Sequence, residues 1–249
     1  MAATDARPAY NAAGKKEIFQ LRVYRLKTNE QLAQVDMFLK GAYLPALHRA
    51  GIQHIGVFKP IANDTASVKT VYVLVPFTSA GEWTRLDERL QKDAAYQNAA
   101  KDFTAAAYDH PPYQRMESIL LEAFASQNSI VVPASKNAER VFELRSYESP
   151  TEELHRKKSA MFETGGETDI FARLGFNPVF YARVISGSHM PNLMYLPVFD
   201  NIEQRDSLWK KFGSDPQWKE LSGKPENENK VSVSHIDSIL MHSAEYSDY

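Results

Sequence analysis

The sequence predicts an α+β fold in which two copies of one β-α-β-β-α-β unit close a single barrel. Three observations point there. The chain of 249 residues is 43% hydrophobic and 24% charged, enough to bury a core in one large domain or two small ones. Phe19-Gln-Leu-Arg-Val-Tyr24 returns as Phe142-Glu-Leu-Arg-Ser-Tyr147, an offset of 142 − 19 = 123 residues. Strand and helix periodicities then follow one another in the same order in each copy.

The repeat keeps its register along both halves. Ala50-Gly51-Ile52 pairs with Leu174-Gly175-Phe176, and Leu74 and Phe77 with Leu196 and Phe199. Leu86, Leu90, Asp93 and Tyr96 pair with Leu208, Phe212, Asp215 and Trp218, and Ser118-Ile119-Leu120 with Ser238-Ile239-Leu240, where the offset is 238 − 118 = 120. An offset that drifts by so little means tandem duplication of a unit of about 110 residues, far longer than a solenoid repeat.

In the first copy, Ile18 to Leu26 alternates Phe19, Leu21 and Val23 with Gln20, Arg22 and Tyr24, as a half-buried strand does. Thr28-x-x-Gln31 forms a capping box, and Leu32, Val35, Phe38, Leu39, Ala42 and Ala46 recur at helical spacing until Pro45 and Gly51 end the helix. Ile52 to Phe58 and Val68 to Phe77 read as strands around an Asn63-Asp64 turn. Ser79-x-x-Glu82 opens a second helix bearing Trp83, Leu86 and Leu90, an Ala-rich helical stretch runs to about Tyr108, and Arg115 to Phe124 is the closing strand.

The second copy repeats this order. Ser149-Pro150-x-Glu152 is expected to cap its first helix and Asp200-x-x-Glu203 its second, while Thr164-Gly165-Gly166 should break the first helix midway. The expected organisation is a leader over residues 1–16, a unit over 17–127, a linker over 128–138 and a second unit over 139–249. A split β-α-β order of this kind is the ferredoxin-like pattern, with both helices on one face of a four-stranded antiparallel sheet. Two such sheets placed face to face form a barrel with helices outside.

The 29 basic and 31 acidic residues leave a net charge of −2, which speaks against a nucleic-acid partner. An RRM shares the element order, but its aromatic signature is missing from both third strands. No cysteine is present, so thiolate chemistry and cysteine-ligated metals are excluded. No apolar run is long enough for a membrane span. The cytoplasm is the default compartment, and an exported mature form with its signal removed fits the small, polar leader equally.

The twin F-[QE]-L-R-x-Y strands, with Asp93-Ala-Ala-Tyr96 and Asp215-Pro-Gln-Trp218 after an amphipathic helix, resemble the NIPSNAP family over about residues 17 to 245. Asp93-Ala94 lacks the proline of that motif. The resemblance implies a pseudo-twofold dimeric α/β barrel, a fold shared with cofactor-free antibiotic-biosynthesis monooxygenases and haem-handling enzymes. It brings no established reaction and no catalytic residues to carry over. Eukaryotic members are linked to mitochondria and vesicle traffic.

The candidate site is pseudo-symmetric. Arg22 and Tyr24 have counterparts in Arg145 and Tyr147, all on the strand face that the barrel is expected to turn inward, while Glu117 corresponds to Asp237 and Arg115 to His235. First and last strands are neighbours in such sheets, so Arg22 with Glu117 and Arg145 with Asp237 are expected side by side. They would either line a polar cavity for an anionic or phenolic molecule or fill it as ion pairs, and the second is the commoner outcome. His54 and His235 fall on predicted strands and could reach that cavity as a base or a haem ligand. The other histidines show no metal-ligand spacing, so no metal and no cofactor are expected. The Glu152 to Lys158 run reads as a solvated helix face. The resulting function is a barrel that binds a small molecule or a partner. The alternative is a cofactor-independent monooxygenase-type enzyme acting on a phenolic or aromatic substrate in the barrel cavity. A closed barrel needs no partner, yet its outer helices could pair, so a single barrel and a homodimer of barrels are both open.

Overall fold

A computed structural model describes residues 14–249, so most of the expected leader lies outside the described residues. Eight strands form one closed barrel in the order β1-β3-β2-β8-β5-β7-β6-β4. They are β1 (Ile18–Leu26), β2 (Gly56–Pro60), β3 (Lys69–Phe77), β4 (Arg115–Ala123), β5 (Val141–Glu148), β6 (Asn177–Ser186), β7 (Asn192–Phe199) and β8 (His235–Ser243). Every pairing is antiparallel. The first four strands run β4-β1-β3-β2, the last four β8-β5-β7-β6, and the two sets meet at β2–β8 and β4–β6.

Helices coat the outside. In the first half these are α1 (Asn29–Phe38), which continues through a π-turn at Leu39–Tyr43 into α2 (Leu44–Arg49), then α3 (Ala80–Thr84), α4 (Leu86–Lys92) and α5 (Ala94–Thr104). In the second half they are α6 (Glu152–Glu163), α7 (Glu167–Leu174), α8 (Ile202–Ser214), α9 (Pro216–Ser222) and α10 (Asn229–Ser232). The expected break falls at Thr164-Gly165-Gly166, with Gly166 left-handed at φ 94° as the residue preceding α7. Pro45 does not end the first helix: it lies in the first turn of α2, which follows directly on the π-turn.

The caps explain the paired motifs. Asp93 accepts from the Tyr96 amide and Asp215 from the Gln217 and Trp218 amides, so each D-x-x-[YW] is an N-cap with an aromatic one turn in. Thr28 and Ser79 cap as expected. In the second half the caps sit elsewhere than expected: Thr151 replaces Ser149, and Asn201 replaces Asp200.

The strands β1, β3, β5 and β7 are largely buried on both faces, and this corrects the expected orientation. Phe19, Leu21 and Val23 point into the barrel with Leu74, Ile119, Leu121, Phe142, Leu144 and Leu196, forming a closed apolar interior. Tyr24 instead joins Val35, Phe38 and Leu47 beneath the first-half helices, and Tyr147 joins Phe162, Phe171 and Tyr195 beneath those of the second. The physical reason is satisfaction of hydrogen bonds. A packed apolar barrel offers an Arg no partner, whereas helices laid over the sheet can bring donors and acceptors to it.

The expected cross-strand pairs are displaced by one residue for the same reason. Arg22 stands opposite Ser118, and Glu117 opposite Val23, so Arg22 and Glu117 face opposite sides of the sheet. Arg145 likewise stands opposite Ser238, with Asp237 opposite Ser146. At the base, Tyr249 closes the interior against Phe58 and Phe142, while Asp248 binds His48 at 3.0 Å and Tyr246 donates to Asp36 at 2.5 Å.

Candidate functional site

Beneath the second-half helices lies a buried cluster of charged and phenolic groups. Glu143 on β5 is fully buried and accepts from Arg145 (2.6 Å), Arg205 (2.8 and 3.0 Å), Ser238 (2.7 Å) and Trp209 Nε1 (2.7 Å). Burial alone would raise its carboxyl, but the Arg205 and Ser238 donors, the Arg145 charge and the Trp209 donor outweigh it and hold it at about 2. Arg145 lies over the Trp209 ring at 4.7 Å and donates to the Tyr147 hydroxyl at 2.8 Å. The Tyr195 hydroxyl donates to that of Tyr147 at 3.3 Å.

Lys158 and Glu167 complete the cluster, and sequence reasoning missed both. Lys158 is only 2% exposed, in contrast to the solvated face expected for its segment. Its ammonium donates to Asn229 Oδ1 at 3.2 Å and lies 5.6 Å from the Tyr147 ring centre, and burial lowers its pKa against the pull of Glu167. Glu167, at the start of α7, is 3% exposed and its Oε2 has no hydrogen-bond partner. Burial pushes its carboxyl up to about 7, with Lys158 and Arg145 pulling the other way. A surface groove of about 540 Å³ lies against α7 and α9, lined by Gly165, Gly166, Asp169, Ile170 and Arg173 but not by Glu167.

The same positions in the first half are uncharged, although the Tyr43 hydroxyl there is likewise buried without a partner. Counting along the repeat, Glu143, Lys158 and Glu167 correspond to Gln20 (143 − 123), Val35 (158 − 123) and Tyr43 (167 − 124), and Tyr195 to Val73 (195 − 122). Arg22 donates to Gln20 at 3.1 Å and lies 4.7 Å from the Tyr43 ring centre. Its remaining charge partner is Asp87, at the position of Trp209 (209 − 122).

The other predicted residues gather at one mouth of the barrel. Glu117 and Asp237 line a cavity of about 100 Å³ with Arg25, Tyr72, Glu148, His189 and Asn192. Arg25 pairs with Glu117 at 2.6 Å, His235 Nε2 with Asp237 at 3.0 Å and His189 Nδ1 with Glu148 at 3.2 Å. His54 is not on a strand: it is exposed, ahead of β2, in a left-handed conformation at φ 61°. The structure thus divides the eight predicted residues. Arg22, Tyr24, Arg145 and Tyr147 lie under the helices, Glu117, His235 and Asp237 at the mouth, and His54 at neither.

A closed antiparallel eight-stranded barrel with external helices places the protein in the α/β-barrel class. Residues 142–248, in the second half of the chain, match the NIPSNAP family model. No curated protein matches the chain. Among solved structures, a candidate monooxygenase from Fusobacterium nucleatum subsp. nucleatum is similar at 10% identity and TM-score 0.59, covering 92% of each chain. One from Lactobacillus acidophilus is similar at 14% identity and TM-score 0.57, over 92% of this chain and 94% of that one. An anthrone oxidase-like protein is similar at 9% identity and TM-score 0.58, over 94% and 93%. At such identities the likeness is one of fold. No helix among the described residues is long and apolar enough to cross a membrane.

Proposed function

We propose that the protein is a small-molecule-binding barrel of two tandem ferredoxin-like units, 17–127 and 139–249 around a linker at 128–138, with its binding site beneath the second unit's helices. The observation that carries this reading is the buried Glu167 oxygen without a partner, beside Lys158 and Tyr195, where the first half has Tyr43, Val35 and Val73. Buried ionisable groups with displaced pKa values and unmet hydrogen bonds concentrate at functional sites. The barrel interior is a poorer candidate, since a cavity of about 100 Å³ is below the size that small-molecule sites need. The ligand would carry a hydroxyl or carboxylate for Lys158 and Glu167 and an aromatic body for Phe162 and Tyr195.

One specific observation favours an enzyme on the same site. A carboxyl held near 7 is matched to proton abstraction at neutral pH, and the fold is shared with the candidate monooxygenases. Glu167 would remove a proton from an activated phenol or anthrone carbon. The carbanion would then take up dioxygen and release water, so that anthrone and O2 give anthraquinone and H2O. Saturation-transfer NMR with a panel of hydroxybenzoates and anthrone, with oxygen uptake recorded on the same samples, tests both readings. Binding is expected to be lost in Lys158→Met, and any uptake to fall at least 100-fold in Glu167→Gln. Equal binding by the wild type and Lys158→Met would overturn the site.

A further inference from the structure

We infer that the mouth of the barrel is a binding site for a divalent transition-metal ion, held by Glu148, His235 and Asp237. The strand register builds it. Glu148 at the end of β5 stands directly opposite His235 at the start of β8, and Asp237, two residues on, points to the same face. One ligand atom from each of the three lies within 4.8 Å of the others. They stand on two hydrogen-bonded strands, so their backbone spacing is fixed before any ion arrives.

The chemistry of the donors selects the ion. Two carboxylates and an imidazole suit zinc, cobalt, manganese or ferrous iron rather than calcium or magnesium, which prefer oxygen alone. A second imidazole is at hand: His189, in the β6–β7 hairpin, places Nδ1 3.2 Å from Glu148. His189 adopts φ 60°, a conformation rarely taken by a residue with a side chain, and this sets its ring beside the carboxylate. Glu117 lies across the same cavity but is engaged by Arg25 at 2.6 Å. The cavity of about 100 Å³ leaves room for the ion and bound water. Sequence spacing hid the set, since Glu148 and His235 are 235 − 148 = 87 residues apart and meet only through the β5–β8 pairing.

The test uses the full chain, stripped with EDTA and titrated with Co2+ followed by visible absorption, then with Zn2+ by calorimetry. One equivalent per chain is expected, with ligand-field bands for Co2+ and displacement by Zn2+. Affinity should fall at least tenfold in His235→Ala and in Asp237→Asn and stay unchanged in His110→Ala, which alters an exposed histidine elsewhere. Because His235 and Asp237 are solvent-exposed at the rim, both variants are expected to keep the wild-type circular dichroism. No binding by the wild type at millimolar metal, or equal binding by His235→Ala and Asp237→Asn, would overturn the assignment.

Discussion

The two halves of the chain share a strand order and an F-[QE]-L-R-x-Y strand, yet they differ in what lies between sheet and helices. Under the first-half helices, Arg22 rests on Tyr43 among Val35, Phe38, Leu47 and Val73, with a neutral Gln20 beside it. Under the second-half helices the corresponding space holds Glu143, Arg145, Lys158, Glu167 and two tyrosine hydroxyls. Buried charges destabilise a fold unless they are fully paired, and Glu167 is not. Two halves of like strand order allow one to be packed for stability while the other keeps groups that a ligand could use.

The comparison breaks first if the two strands respond alike to truncation. Glu143→Ala strands Arg145, Arg205 and the Trp209 N–H, and should cost about 3–5 kcal/mol in urea unfolding. Gln20→Ala, in the first half, removes one neutral hydrogen bond, to Ser118, and one from the Arg22 guanidinium, and should cost less, about 2 kcal/mol. Equal losses would mean that the two faces are energetically equivalent.

Glu143 also sharpens the contrast through pH. Its folded-state pKa of about 2 lies below the ordinary 4.5, so its stabilisation is complete above about pH 4.5 and is lost as pH falls toward 2. The difference, 4.5 − 2 = 2.5 units, corresponds to about 3 kcal/mol. Acid titration of unfolding free energy should show that loss in the wild type, while Glu143→Gln should flatten the limb between those values.

A second pH effect has the opposite sign. Glu167 is raised to about 7, so the folded state is favoured with the proton on; that stability is present below about pH 4.5 and is lost as pH rises through 7. Glu167→Gln should therefore raise stability at pH 8 by up to about 3 kcal/mol and leave it nearly unchanged at pH 4. A destabilised Glu167→Gln at pH 8 would show that the carboxylate is a structural group with partners of its own.

Much of this architecture was legible in the residues. The paired landmarks of the repeat, Leu74 with Leu196 and Asp93 with Asp215, fall at matching places in the two halves, and β1 spans the expected Ile18–Leu26. Which face of β1 turns inward was not legible. Alternation separates Phe19, Leu21 and Val23 from Gln20, Arg22 and Tyr24, but a strand covered on both sides leaves the choice to partners that distant helices supply. Lys158 was lost in the charged Glu152–Lys158 run, although the repeat aligns it with Val35, a core position, and so carried the signal. Glu167 was hidden similarly, since its equivalent is Tyr43 across a one-residue change of offset. The mouth of the barrel needed the register of β5 against β8, which is a property of pairing rather than of spacing.

The β2–β8 and β4–β6 seams leave none of the eight strands with an open flank. Were the halves separate molecules, those seams would be an interface whose occupancy fell on dilution. The segment from Phe124 to Arg140 joins them covalently and itself bonds to both sides, through Glu17 with Ile130 and Val131 with Val179. Closure is thereby governed by an effective concentration set by the tether, and the barrel should stay shut however thinly the protein is dispersed.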